Sequence, residues 1–126
     1  MELNAYDKIW PGRNEVETAP WIKRKPVRDR ALVTTLRRDL DLGEAESIAL
    51  ALDLQADLLL LDEMEGRHAA QRLGLRVLGV VGILLQAKSN SEIEQARPYL
   101  EALRQTAGFY LSDSLLQAAL EQAGEA

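Results

Sequence analysis

The run from Asp57 to Asp62 constrains the fold more than any other part of the chain. Four consecutive leucines, Leu58 to Leu61, stand between two carboxylates. The run is too short for a helix and lacks the polar alternation of a half-wet strand, so it predicts a strand buried on both faces of a parallel sheet. Upstream, Ala45, Ile48, Ala49 and Leu52 recur at i, i+3, i+4 and i+7, the spacing of a helix. Downstream, residues 64–73 read as a helix closed by Gly74, Leu75 to Gly79 as a second strand, and Val80 to Lys88 as a further helix. Helix, strand, helix, strand, helix is the order of a parallel α/β unit. In such sheets functional groups gather beyond the carboxyl ends of the strands, which is where Asp62 falls.

At 126 residues the chain suits one domain, 1–126, and its 47 % hydrophobic content is aliphatic rather than aromatic, which favours α/β over a β-sandwich. There are no cysteines, so disulfides, thiolate metal sites and cysteine nucleophiles are excluded. The longest uncharged apolar run, Val77 to Leu85, is about half of the ~20 residues a membrane span needs. The start of the chain lacks the charged and apolar regions of a secretory leader, and a soluble cytoplasmic protein is expected. The first twenty residues show little regular pattern, and Trp10 to Asn14 reads as a turn. Asp29 to Arg38 reads as a short helix; Ser91 and Glu94 have the form of a capping box, and Ser112 or Asp113 caps a last amphipathic helix. Gly108 is expected to end the helix before it.

Charge is unevenly placed. Between Asp41 and Gly66 there are eight acids (Asp41, Glu44, Glu46, Asp53, Asp57, Asp62, Glu63, Glu65) and no Lys or Arg, directly after a segment with seven basic residues from Lys23 to Arg38. Carboxylates without cations suit hard divalent ions, which take oxygen ligands and need only one to three carboxylates beside water and phosphate oxygens. Glu44 at a helix start and Asp62 at a strand end are the leading candidates. An ordinary structural role competes: Asp41-x-x-Glu44 and Asp62-x-x-Glu65 both have capping-box spacing. Spacing leaves capping and ligation on equal footing, and one residue doing both is open. Arginine outnumbers lysine eleven to four, and its planar fork suits phosphate, although a mixed-charge solvated face explains the basic segment equally simply. His68 stands alone, which argues against zinc and for a surface histidine. The serines lack a nucleophile elbow, and the Gly79 to Gly82 passage matches no nucleotide-binding loop.

Residues 40–52 (LDLGEAESIALAL), 56–70 (ADLLLLDEMEGRHAA), 73–88 (LGLRVLGVVGILLQAK) and 108–113 (GFYLSD) together resemble a PIN-like family of prokaryotic proteins related to the VapC toxin ribonucleases. The resemblance covers residues 21–124. It implies a three-layer α/β/α sandwich with a parallel sheet and an acidic pocket holding Mg²⁺ or Mn²⁺ for RNA hydrolysis. By motif, Glu44 and Asp62 take the catalytic and metal-ligating positions, Glu46 is an alternative to Glu44, and Glu65 is a companion of Asp62. Arg37, Arg38 and Arg67 are the expected RNA contacts. A full PIN domain opens with a hydrophobic strand ending in Asp; no such strand precedes Asp7, Glu15 or Glu17, so the first strand, the helix after it and the first acidic ligand are expected to be missing.

The leading expectation is a toxin-type ribonuclease with residual or lost activity, acting on RNA and paired with a cognate antitoxin. The alternative is a non-catalytic interaction module that forms a homodimer or binds a partner chain through an uncovered sheet edge. A receiver-like phospho-acceptor at Asp62 is a third reading; it lacks the acidic pair after an earlier strand and the hydroxyl residue ending the next one.

Overall fold

A computed structural model describes residues 12–106 and 111–126. The described residues form seven helices and a two-stranded parallel sheet: α1 Arg13–Thr18, α2 Arg30–Leu36, α3 Leu42–Leu54, β1 Leu59–Leu60, α4 Met64–Arg72, β2 Val77–Leu78, α5 Val80–Ser89, α6 Arg97–Gln105 and α7 Asp113–Gln122. The α/β class and the alternation from α3 to α5 are those expected. The turn expected at Trp10 to Asn14 falls partly, and the helix end at Gly108 wholly, outside the described residues.

Three of the helix starts have a local cause. The Asp29 carboxylate accepts from the Leu32 N–H at 3.0 Å, opening α2. At α3 the capping box is complete, with Asp41 accepting from the Glu44 N–H at 2.8 Å and Glu44 accepting from the Asp41 N–H at 3.3 Å. Ser112 caps α7 through the Leu115 N–H at 3.1 Å. The short helix α1 corrects the irregular reading of the N-terminal segment. Gly12 turns into it at φ +84°, an Arg13–Glu17 pair at 3.3 Å braces it, and it buries no residue, so no apolar period marked it.

Ser91 and Glu94 form no capping box. Ser91 lies at φ +61°, and the next helix begins six residues later with Pro98 in its first turn. Its exposed N–H groups are met from the far end of the chain, where the Glu125 carboxylate accepts from Ala96 at 2.7 Å and Arg97 at 3.1 Å. A hydrogen bond from Lys88 to the Ala123 carbonyl and a Lys88–Glu125 ion pair at 3.0 Å tie the same tail to α5.

The strands are shorter than expected and parallel, pairing Leu59 with Val77 and Leu60 with Leu78. β1 is also one-sided. Leu59 and Leu61 pack with Leu40, Ile48, Ala69 and Ala70 against α3 and α4, whereas Leu58 and Leu60 are 42 % and 58 % exposed. Alternate residues of a strand point to opposite faces, so the four-leucine run buries one face and leaves the other open. A second cluster joins Val33 of α2 to Ala45 and Ala49 of α3; a third joins Leu100, Leu111, Ala119 and Leu120 to Val81, Leu84 and Leu85 of α5.

Candidate active site at the strand ends

Asp62 follows β1 by two residues. Its Oδ1 accepts from the Val80 N–H at 2.7 Å, so it caps α5, the helix that leaves β2, and not the helix that follows it in sequence. Strand register explains the crossing: Leu60 pairs with Leu78, which brings the residues after each strand side by side. The capping reading of Asp62-x-x-Glu65 is thereby corrected, because α4 has Glu63 as N-cap with no side-chain hydrogen bond. The approach depends on Gly79, where a Cβ would lie 2.9 Å from Asp62 Oδ1 and 3.6 Å from Arg67 Nη1. Asp62, Glu63 and Arg67 line a cleft of about 750 Å³ closed on its other side by Leu115, Ala119 and Gln122 of α7.

Glu44 plays both roles that its spacing allowed. Its Oε1 completes the capping box, and its Oε2 is buried with no hydrogen-bond partner. That oxygen lies 3.2 Å from where a Cβ on Gly66 would stand, so the first turn of α4 packs directly on the carboxylate. Burial raises the Glu44 pKa above the usual carboxylate range; the Asp41 N–H opposes the rise, and the charges of Asp41, Glu63 and Glu65 add to it. Leu61 separates the two acids, its side chain close to the Gly66 position and its carbonyl close to Gly79.

A buried carboxylate oxygen without a donor, within electrostatic reach of Asp41, Glu63 and Glu65, is a site with an unmet demand for positive charge. Among the described residues no three His, Asp or Glu side chains gather closely enough to hold a metal by themselves. Magnesium and manganese are held by one or two carboxylates together with water and phosphate oxygens, so the donor chemistry at Glu44 fits such an ion.

The other expected site residues are dispersed. Glu46 pairs with Arg30 at 2.7 Å. Glu65 and Arg38 line a second cleft, of about 590 Å³, between the end of α2 and α4. Arg37 is exposed at the end of α2. Arg67 is half-buried beside Asp62, with its Nε buried and unpartnered. Glu17 is paired with Arg13, Glu15 stands in the first turn of α1, and Asp7 lies outside the described residues. Sequence reasoning did not assign Glu63, Gly66 or Gly79 to the site; of the glycines only Gly79 carried a readable signal, standing where β2 passes into α5, whereas Gly66 lies inside the first turn of α4.

No curated protein and no solved structure matches the chain. A family profile described as a PIN domain matches residues 1–125, and so includes the N-terminal segment that the motif resemblance left out. A match over that length shows the family: the chain belongs to the PIN-domain family.

Proposed function

We propose that the chain is a metal-dependent endoribonuclease of the toxin type, with Glu44 and Asp62 as the acids that hold Mg²⁺ or Mn²⁺ and the three-layer sandwich of its family as the scaffold. The unpartnered, buried Oε2 of Glu44 carries the reading, because nothing in its surroundings satisfies that oxygen and a cation would. When bound, the divalent ion supplies Lewis acidity toward water and the phosphodiester. The chain's own residues orient and hold. The capping box fixes the Glu44 rotamer, the Val80 N–H fixes Asp62, and the Arg67 guanidinium stands beside Asp62 where it can take a phosphate oxygen. Glu65 lies within electrostatic reach of Glu44 as a companion acid. With two acids assigned and the first acidic ligand of the family unassigned, activity is residual or lost. Cleavage of RNA in Mn²⁺ by the wild type and by Asp62→Asn tests the assignment; equal rates would defeat it.

The alternative, an interaction module, has its own observation. Leu58 and Leu60 present an uncovered apolar strand face, where a second copy, an antitoxin or another partner chain would pack. Light scattering after size-exclusion chromatography decides the homodimer, and a clean monomer across the micromolar range sinks it.

A further inference from the structure

The cleft between the end of α2 and α4 is separate from the one that Asp62 lines, and Glu65, the companion acid of Glu44, stands on its wall. Its α4 wall carries Glu65, His68 and Arg72, which share one helix face at i, i+3 and i+7, and the turn after α2 carries Arg38 and Asp39 on the opposite wall. The floor is apolar, formed by Leu36, Leu40 and Ala69. None of Arg38, His68 and Arg72 makes a hydrogen bond or ion pair with its side chain among the described residues, although Asp39 and Glu65 line the same space. The two arginine side chains are therefore uncommitted, whereas Arg13, Arg30, Arg97 and Arg104 are paired.

The cleft is also polarised. Glu65 marks its end toward Glu44, whose carboxylate feels that charge, and Arg72 lies two helical turns away on α4. Two arginines against two acids leave the cleft formally neutral, so a bare anion gains little there. An occupant that fits must bring phosphate to the guanidinium forks and a flat, weakly polar body to the apolar floor, with His68 and the arginines available for stacking. A nucleotide unit has both parts, and the volume of about 590 Å³ accommodates one.

We propose that this cleft is a nucleotide-binding subsite for single-stranded RNA, anchoring through Arg38, His68 and Arg72 the chain that flanks the phosphodiester presented to Glu44 and Asp62. The proposal rests on the ribonuclease reading and on Arg38, already expected to contact RNA, and it extends that reading to His68 and Arg72, outside the acidic site.

The test is binding of a fluorescein-labelled ten-nucleotide single-stranded RNA to the full chain, followed by anisotropy in EDTA so that cleavage plays no part. Loss of two phosphate contacts in Arg38→Ala/Arg72→Ala lowers the slope of log K against log salt by about 1.4, at ~0.7 per phosphate for single strands. That slope change makes the variant bind about 25-fold more weakly than the wild type at 0.1 M salt when the two are matched at 1 M. Arg38→Lys/Arg72→Lys keeps the slope and so controls for folding, with the unfolding midpoints of both variants compared. His68→Ala weakens binding without changing the slope. An unchanged slope in the alanine variant overturns the proposal, as does displacement of the RNA by poly-glutamate as effectively as by unlabelled RNA, which would mark the cleft as a protein-docking site. Failure of the ribonuclease reading is separable. Equal cleavage by the wild type and Asp62→Asn defeats the acidic site, whereas wild-type binding by the alanine variant defeats the subsite alone.

Discussion

Replacing Glu44 by Gln should make the metal-free protein more stable while removing its response to metal. The wild-type side chain keeps one oxygen in the capping box and buries the other without a partner, beside Asp41, Glu63 and Glu65. An unsatisfied buried polar group costs about 1–3 kcal/mol. The amide retains an acceptor for the Asp41 N–H and carries no charge for Asp41, Glu63 and Glu65 to repel, so recovery of about 1–2 kcal/mol is expected. For 126 residues, at ~2.1 cal/mol/K per residue, each kcal/mol moves Tm by about 4 °C, giving a rise of roughly 4–8 °C in EDTA at pH 7. A ligand at 100 times its Kd stabilises by about 2.7 kcal/mol, or roughly 10 °C, and Mn²⁺ should do this for the wild type and not for Glu44→Gln. The pH dependence has a definite sign. Because the folded pKa of Glu44 is raised above its usual 4.5, the folded form holds the proton more tightly, the penalty is absent below pH 4.5, and it develops as pH rises through the folded pKa. The advantage of the variant should therefore grow from pH 4.5 upward. Differential scanning fluorimetry with EDTA and with Mn²⁺ measures all of this, and a variant that melts lower in EDTA, or that gains as much from Mn²⁺ as the wild type, refutes the reasoning.

Gly79→Ala places a Cβ 2.9 Å from Asp62 Oδ1, so the Val80 hydrogen bond must give way; urea unfolding should show a loss of about 1–3 kcal/mol together with loss of Mn²⁺-dependent cleavage. Glu46→Gln breaks an exposed pair with Arg30, worth under about 1 kcal/mol, and should leave the Mn²⁺-induced Tm shift intact, whereas a lost shift would make Glu46 a ligand. The Glu125 carboxyl is held down to about 2, first by the Ala96 N–H, with the Lys88 ammonium and the Arg97 N–H adding to the effect against partial burial. A depressed pKa stabilises above the usual 4.5 and is lost as pH falls toward 2; acid titration of Tm should therefore be flatter for Glu125→Gln than for the wild type.

Three acid-x-x-acid or serine-x-x-acid spacings look alike in the sequence and behave differently in the fold, which shows where local reading stops. Asp41 and Glu44 form the capping box because both partners and both N–H groups belong to one helix start, and nothing else competes for them. Ser91 and Glu94 do not, because the chain turns through positive φ at Ser91 and the helix start that needs a cap lies further on, where Glu125 reaches it from the tail. Asp62 and Glu65 do not either, since parallel pairing sets Asp62 against the head of α5. Spacing of three residues reports on the helix it opens and carries no information about a strand two elements away. The order of elements was legible because apolar periods of 3.6 and runs of leucine are properties of each segment alone. The one-sided burial of β1 was not, because four leucines in a row look the same whether one face or two is covered.

The same limit bears on the acidic site, and it changes which residue matters most there. Sequence alone ranks Asp62 at least equal to Glu44, since an acid ending a parallel strand is the expected functional position. In the fold Asp62 is exposed and already holds a backbone N–H, so its Oδ1 is stable without any ion. Glu44 is the strained member: one oxygen is used, the other is shut in by Gly66 and left without a donor, and three carboxylates raise the cost of its charge. An ion that neutralised it would remove a penalty the apoprotein carries, so the coupling between metal and stability should run through Glu44 far more than through Asp62. Asp62→Asn, which can still accept from Val80, should then lose cleavage with little change in metal-free Tm, while Glu44→Gln should lose cleavage and gain metal-free Tm. Opposite ranking of the two variants in EDTA would mean that the buried oxygen of Glu44 finds a partner in solution and that the site is organised around Asp62 instead.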